Sequence, residues 1–311
     1  MKLNLSRVKK IAIFSHIRPD GDTIGGMLAL CLSLRLAGYQ VDMFCDNGVP
    51  PCYTALEGFN GINTAPYSEY DMLIAIDCAD VARLGKWSRK FSAHSNTVNI
   101  DHHFTNERYA KINIVESASS CCEIIYQILK DQNLPVNKAI AESIYVGIIT
   151  DTGNFAQSNT TKNSFIVSAE LTDYQIDLEF LADVFNNVKT YPRMLLVADA
   201  IKNMRFFEGG KICLIPVRAD DLKRHSLTIQ DTEGLIKYAI HCEGVQIGIC
   251  LTESTKDNYK VSLRSKRPID ASAVARRFGG GGHKQAAGCI LSGALEEVIE
   301  KLAYTASLEL I

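Results

Sequence analysis

Over the first hundred residues, short apolar runs alternate with longer segments of helical period. The runs "KIAIF", "VDMFC", "MLIAID" and "TVNID" read as buried strands. Between the first two lies "TIGGMLALCLSLRLAG", a helix that Gly38 is placed to end. Such alternation predicts a mostly parallel sheet flanked by helices. From about residue 137 to 200 the period is helical throughout, in "KAIAESIYVGIIT", "SFIVSAELTDY", "LEFLADVF" and "RMLLVADAIKNM". After Gly209 and Gly210 a second set begins, with strands "KICLIPV", "VQIGICLT" and "YKVSLRS", a helix "DASAVARRF", a glycine-rich turn, a strand "AGCIL" and a last helix. The chain therefore reads as α/β, with an N-terminal domain over 1–185, a helical linker over 186–205 and a smaller C-terminal α/β domain with a mixed sheet over 206–311.

Composition fits two cores rather than one, since 47% of the 311 residues are hydrophobic. The ten cysteines are scattered without a CxxC pair, and Cys121 and Cys122 fit no common zinc spacing. They read as small apolar residues of a reducing compartment. The opening "MKLNLSRVKK" is followed by only four apolar residues, and no stretch approaches a membrane span. A cytoplasmic protein without membrane contact is expected. A net charge of -2 argues against coating nucleic acid along the whole surface, yet Lys256 to Lys284 carries eight Lys or Arg against two Asp.

In an open α/β sheet, ligands gather beyond the C-terminal ends of strands, and the chemically capable residues fall at such ends. His16, Asp20 and Asp22 follow the first strand, Asp77 closes "MLIAID", Asp101, His102 and His103 close "TVNID", and Asp151 follows "SIYVGIIT". Taken singly, an aspartate after a strand is most often a turn or a cap, and Asp22 before Thr23 suits the start of a helix. Four such ends together point to a site. Two carboxylates about 4 Å apart repel by roughly 4 kcal/mol at an effective dielectric of about 20, and a bound cation removes the conflict. Oxygen ligands mixed with imidazole, without thiolate, suit Mn²⁺ or Mg²⁺ better than structural zinc. The candidates are too many for one ion. Two ions about 3.5–4 Å apart, sharing a bridging carboxylate, would use them all, as in a two-metal hydrolase.

The segments "SHIRPDGD", "AIDCAD", "DHH" and "GIITDTGNF", in that order, resemble the four motifs of the DHH phosphoesterases. "FGGGGHKQAAGC" resembles the signature of the DHHA1 domain that follows in one branch. The length is similar to that of the stand-alone nano-RNase and 3',5'-bisphosphate nucleotidase type, the NrnA-like group. The resemblance implies a DHH domain over 1–185 and a DHHA1 substrate-binding domain over 206–311. It further implies that His16, Asp20 and Asp77 hold one Mn²⁺ while Asp22, Asp77, His102 and Asp151 hold the other, with Mg²⁺ or Co²⁺ as substitutes. Asp77 would bridge the ions. His103 would reach the substrate phosphate, and Asp101 would fix a histidine tautomer, as such carboxylates commonly do.

The second domain has its own logic. Four consecutive glycines, Gly279 to Gly282, reach backbone angles that other residues resist and can turn main-chain N–H groups toward an anion. Arg264 at a strand end and His283 can add charge-assisted bonds, so Arg264, Gly281, Gly282 and His283 are expected to hold a substrate phosphate. Lys266, Arg267, Arg276 and Arg277 read as solvated. "GGGGHK" is not a Walker A motif, because His283 replaces the glycine before the lysine and Gln285 the hydroxyl after it; nor does a G-x-G-x-x-G follow the first strand. This argues against an ATPase or a dinucleotide oxidoreductase. The expected function is Mn²⁺-dependent hydrolysis of short oligoribonucleotides to mononucleotides, of pAp to AMP, or both, with short RNA, pAp or pApA as partners; a homodimer is compatible with the resemblance. The alternatives are a cyclic dinucleotide phosphodiesterase acting on c-di-AMP or pApA, a RecJ-like single-strand exonuclease and a pyrophosphatase, which the glycine motif disfavours. A non-catalytic nucleotide sensor would have no need of a full ligand set.

Overall fold

The computed structural model describes residues 3–46, 48–65, 67–187 and 189–310, with the side chains of 186 and 187 left undescribed. The chain divides between residues 188 and 189 into two units. Val188, within the expected linker, lies outside the described residues.

In the first unit the elements run β1 (Lys10–Phe14), α1 (Gly21–Leu36), β2 (Gln40–Phe44), β3 (Met72–Ile76), α2 (Ser88–Ala93), β4 (Thr97–Asp101) and β5 (Ile112–Val115), then α3 (Cys121–Asp131), α4 (Lys138–Asp151), α5 (Lys162–Thr172) and α6 (Leu178–Ala182). The five strands form a wholly parallel sheet in the order β2-β1-β3-β4-β5. Alternate side chains enter opposite faces, as the pleat requires. Ile11 and Ile13 pack with α1, α3 and α4, whereas Ala12 and Phe14 pack with Phe44, Leu84 and Phe91 on the other face. The strand order reverses at β1, which makes the β1–β3 crevice a topological switch point, where ligands of open sheets bind.

Helices α1 and α4 cross at a distance that only glycine allows. A Cβ on Gly25 would lie 2.3 Å from the Ser143 carbonyl oxygen, and one on Gly21 2.2 Å from Thr150 Oγ1. This packing presents the N-terminus of α1 and the C-terminus of α4 to the same end of the sheet.

The second unit runs α7 (Tyr191–Lys202), β6 (Arg205–Phe207), β7 (Ile212–Val217), α8 (Ala219–Arg224), α9 (Ile236–Ile240), β8 (Ile247–Thr255), β9 (Asn258–Ser265), α10 (Ala271–Arg276), β10 (Gly281–His283), β11 (Ala286–Ser292) and α11 (Leu295–Ser307). Its sheet has the order β10-β11-β9-β8-β7-β6 and is mixed, because only β7 and β8 run parallel. The helix within the expected linker belongs to this unit, since Leu196 and Ala200 of α7 are buried with Cys213 and Ile215 of β7. Part of the expected glycine turn is instead the edge strand β10. Glycine is needed there for close approach, as a Cβ on Gly280 would lie 2.2 Å from the Gly288 carbonyl oxygen and one on Gly282 2.5 Å from that of Ala286. Among the described residues no helix is long and apolar enough to cross a membrane.

Candidate metal centre

The loop after β1 delivers His16, Asp20 and Asp22 in seven residues. Asp20, rather than Asp22, caps α1, its Oδ1 accepting from the Thr23 N–H at 3.1 Å. Asp22 therefore sits inside the first turn, fully buried, and is held by another helix: its Oδ2 accepts from the Cys121 N–H at 2.5 Å and its Oδ1 from the Cys122 N–H at 2.9 Å. Those are otherwise orphan donors of the first turn of α3. Beyond β3, Asp77 takes φ +55°, a left-handed backbone uncommon outside glycine, as the chain leaves the strand. His102 and His103 follow β4, and Asp151 is the last residue of α4.

These side chains converge. Ligand atoms of His16, Asp20 and Asp77 lie within 4.8 Å of one another, as do those of Asp22, His102 and Asp151. His16 Nε2 is 3.9 Å from Asp20 Oδ1 and 3.6 Å from Asp77 Oδ2. His102 Nε2 is 3.7 Å from Asp22 Oδ2, 3.4 Å from Asp77 Oδ1 and 3.8 Å from Asp151 Oδ2. Asp77 thus offers one oxygen to each group. The separations are long for hydrogen bonds but suit atoms that each stand about 2.0–2.2 Å from a common cation.

Three observations test the fit of a divalent ion. Asp77 Oδ1 is buried with no hydrogen-bond partner, which is costly unless a cation satisfies it. Both imidazoles donate Nδ1–H to a backbone carbonyl, His16 to Ile17 at 2.8 Å and His102 to Ala118 at 3.2 Å, leaving each Nε2 lone pair turned to the carboxylates. Nearby thiols stay out of the groups, because burial pushes the Cys78 thiol up to about 12 and raises those of Cys121 and Cys122 as well. The residues fit a hard cation with nitrogen and oxygen ligands.

His103 and Asp101 form a third group with Asp77 and His102, in which His103 Nδ1 also lies 3.5 Å from Asp77 Oδ1. Asp101 is fully buried and accepts from His103 Nδ1 at 2.8 Å, from the His102 N–H at 2.9 Å and from Asn106 Nδ2 at 2.5 Å. Its hydrogen bond raises the His103 pKa against the opposing effect of burial, and the ring remains partly exposed. Arg264, Gly281, Gly282 and His283 all lie in the second unit and are exposed. Arg264 and His283 are both register partners of Ala286, so the three share one sheet face with the Cα atoms of the two basic residues about 10 Å apart, twice the strand spacing. Of the side chains expected to be solvated, Arg276 pairs with Asp270 at 3.4 Å and Arg277 with Glu309 at 2.9 Å.

Several contributors carry no signal in sequence pattern. Thr23 Oγ1 donates to Asp77 Oδ2 at 2.7 Å, Asn159 Nδ2 to Asp151 Oδ2 at 3.2 Å, and Arg83 Nη2 lies 3.2 Å from His16 Nδ1. Each is placed by tertiary contact alone.

Residues 10–148 match the DHH family, N-terminal domain, and residues 225–307 match the DHHA1 domain. The chain is 30% identical over 300 residues to the bifunctional oligoribonuclease and PAP phosphatase NrnA of Thermus thermophilus, covering 93% of this chain and 88% of that protein. It is 28% identical over 291 residues to a probable counterpart of Streptococcus mutans, covering 92% of each. Among solved structures it is similar to an exopolyphosphatase-related protein from Bacteroides fragilis, with a TM-score of 0.88, 25% identity and coverage of 98% of this chain and 93% of that one.

Proposed function

The chain belongs to the DHH family of phosphoesterases, in the branch with a DHHA1 domain, and from that premise we propose a Mn²⁺-dependent hydrolase of short oligoribonucleotides and of pAp. The observation that carries the metal dependence is Asp77, buried, with an unpartnered oxygen and two imidazole–carboxylate groups around it. The substrate class is supported by the relatives of T. thermophilus and S. mutans, both named for oligoribonuclease and PAP phosphatase activity.

His16, Asp20 and Asp77 would hold one ion, and Asp22, Asp77, His102 and Asp151 the other. When bound, the two ions supply Lewis acidity and a water acidic enough to attack phosphorus near neutral pH. Asp101 holds His103 with its proton on Nδ1, so Nε2 is the nitrogen left to face substrate. Because Asp101 raises the His103 pKa, the imidazolium can donate to a phosphate oxygen or protonate the leaving oxygen. Arg264, His283 and the exposed backbone of Gly281 and Gly282 would bind a second phosphate. A reducing cytoplasm suits the buried thiols.

The test is Mn²⁺-stimulated release of mononucleotides from RNAs of two to five nucleotides, with Asp77→Ala in parallel. Removing a carboxylate that merely supports a ligand costs about 10–100-fold, so loss of the shared ligand should cost more than about a hundredfold. A variant as active as wild type would overturn the two-ion site. Turnover of pAp, pApA, cyclic di-AMP and a long single strand in the same assay separates this reading from a cyclic dinucleotide phosphodiesterase and a RecJ-like exonuclease.

A further inference from the structure

Arg83 stands beside the metal-ligand candidates, and among the described residues its guanidinium has no carboxylate partner. Its backbone is fixed on both sides, the N–H donating to Asp80 Oδ1 at 3.1 Å and the carbonyl accepting from the Ile17 N–H at 2.7 Å. Nη2 lies 3.2 Å from His16 Nδ1, yet this contact is not a hydrogen bond. Nδ1 gives its proton to the Ile17 carbonyl at 2.8 Å, and the lone pair of a neutral ring is then on Nε2, toward Asp20 and Asp77. Two donors face each other. Among the described residues no carboxylate pairs with the guanidinium, and Arg83 is partly buried rather than fully hydrated. Five N–H donors held this way suit an anion with several oxygens.

We propose that Arg83 binds a non-reacting phosphate of the substrate, the one adjoining the phosphate at the metal centre; the assignment rests on the phosphoester reading above. The ring geometry separates the two positions. Nε2 faces the carboxylates and Nδ1 points away from them, so Arg83 lies a ring's width and a coordination bond from any ion held by His16. A group there meets the next phosphate along a nucleotide chain. The site therefore takes nucleotides with two or more phosphates in preference to singly linked ones.

The experiment compares ApA, pApA and ApAp on wild type, Arg83→Ala and Arg83→Lys, each loaded with Mn²⁺. For whichever doubly phosphorylated form the wild type prefers, Arg83→Ala should cost about ten- to hundredfold in kcat/KM, carried by KM, and less than about threefold on ApA. Arg83→Lys, which keeps the charge and loses the fork, should recover only part of the difference. Metal content and thermal midpoint should match wild type in the lysine variant. Equal losses on all three compounds, or lost metal, would make Arg83 a support for His16 and overturn the assignment. Equilibrium binding of the same compounds with phosphorothioate linkages gives the comparison without turnover. Failure of the wild type to hydrolyse any of them overturns the phosphoester reading, whereas a binding preference unmoved by either variant overturns the role of Arg83.

Discussion

Asp22, Asp151 and His102 hold protons that must leave before a metal can enter, whereas burial of Asp77 is outweighed by the hydrogen bonds of His102 and His16, which hold its carboxyl well below the usual carboxylate range. Burial raises the Asp22 carboxyl, with Asp77 adding to it, and burial pushes Asp151 up to about 6. Burial alone would lower the His102 pKa, but the carboxylates of Asp77, Asp22 and Asp151 push it up to about 10. In the metal-free protein the imidazolium is thus the cation that offsets the aspartates. An ion displaces that proton, because a ligand imidazole is neutral. Mn²⁺ affinity is therefore expected to rise with pH by about tenfold per unit across the neutral range, with proton release. Titration calorimetry in buffers of different ionisation heat measures both, and a pH-independent affinity would contradict the coupling. The sign for stability follows from the same shifts. Asp151 and His102 bind protons more tightly folded than unfolded, so the metal-free fold loses stability as pH rises from about 4 toward about 10. Saturating Mn²⁺ should reverse that slope in thermal unfolding.

Helix packing sets how tightly the ligands are held. A Cβ on Gly147 of α4 would lie 2.2 Å from Cys122 Sγ and 2.9 Å from Asp22 Oδ1, whereas one on Gly25 of α1 would meet only the backbone of α4. Both alanine variants should lose stability, by about 1–3 kcal/mol for an overpacked contact. Only Gly147→Ala should also weaken Mn²⁺ binding, because the intruding methyl meets Cys122 and the Asp22 carboxylate together. Metal titration and thermal unfolding of the two variants separate these effects, and wild-type affinity in Gly147→Ala would refute the link. The sequence carried the strands that place the candidate ligands, since β1, β3 and β4 are apolar runs with His16 two residues beyond the first, Asp77 directly after the second and Asp101 closing the third. β5 and β6 escaped notice because four and three residues give too little period to read, and β5 lies at a sheet edge. β10 escaped because glycines carry no apolar alternation; its pairing comes from the Ala286–Gly288 partner. Thr23 and Arg83 were illegible for another reason: Thr23 bonds Asp77 and Arg83 lies against His16, each more than fifty positions away in the chain.

The whole molecule divides its chemistry as it divides its cores. Every metal-ligand candidate, with His103 and Asp101, lies before residue 188, within a unit that closes its own sheet and buries its own helices. Arg264, Gly281, Gly282 and His283 lie after it, in a unit with separate apolar clusters on both faces of its sheet. If metal binding, with the phosphate contact proposed for Arg83, is separable from the phosphate contacts proposed for Arg264 and His283, a fragment of residues 1–188 should fold and bind Mn²⁺ with the affinity of the full chain. It should hydrolyse a small activated phosphodiester with kcat within about tenfold of the full chain, because positioning of a substrate with one phosphate needs no second unit. Short RNA is a different case. Each charge-assisted hydrogen bond lost with the second unit is worth about 1.5–3 kcal/mol, about ten- to a hundredfold in affinity. The loss should appear in KM, since the proposed contacts would touch a phosphate that does not react and so contribute equally before and during the chemical step. A fragment that cleaves RNA with the KM of the full chain would remove the second unit from substrate binding. A folded fragment that binds no Mn²⁺ would mean that the centre, although all its candidate ligands lie in one unit, forms only with help from the other.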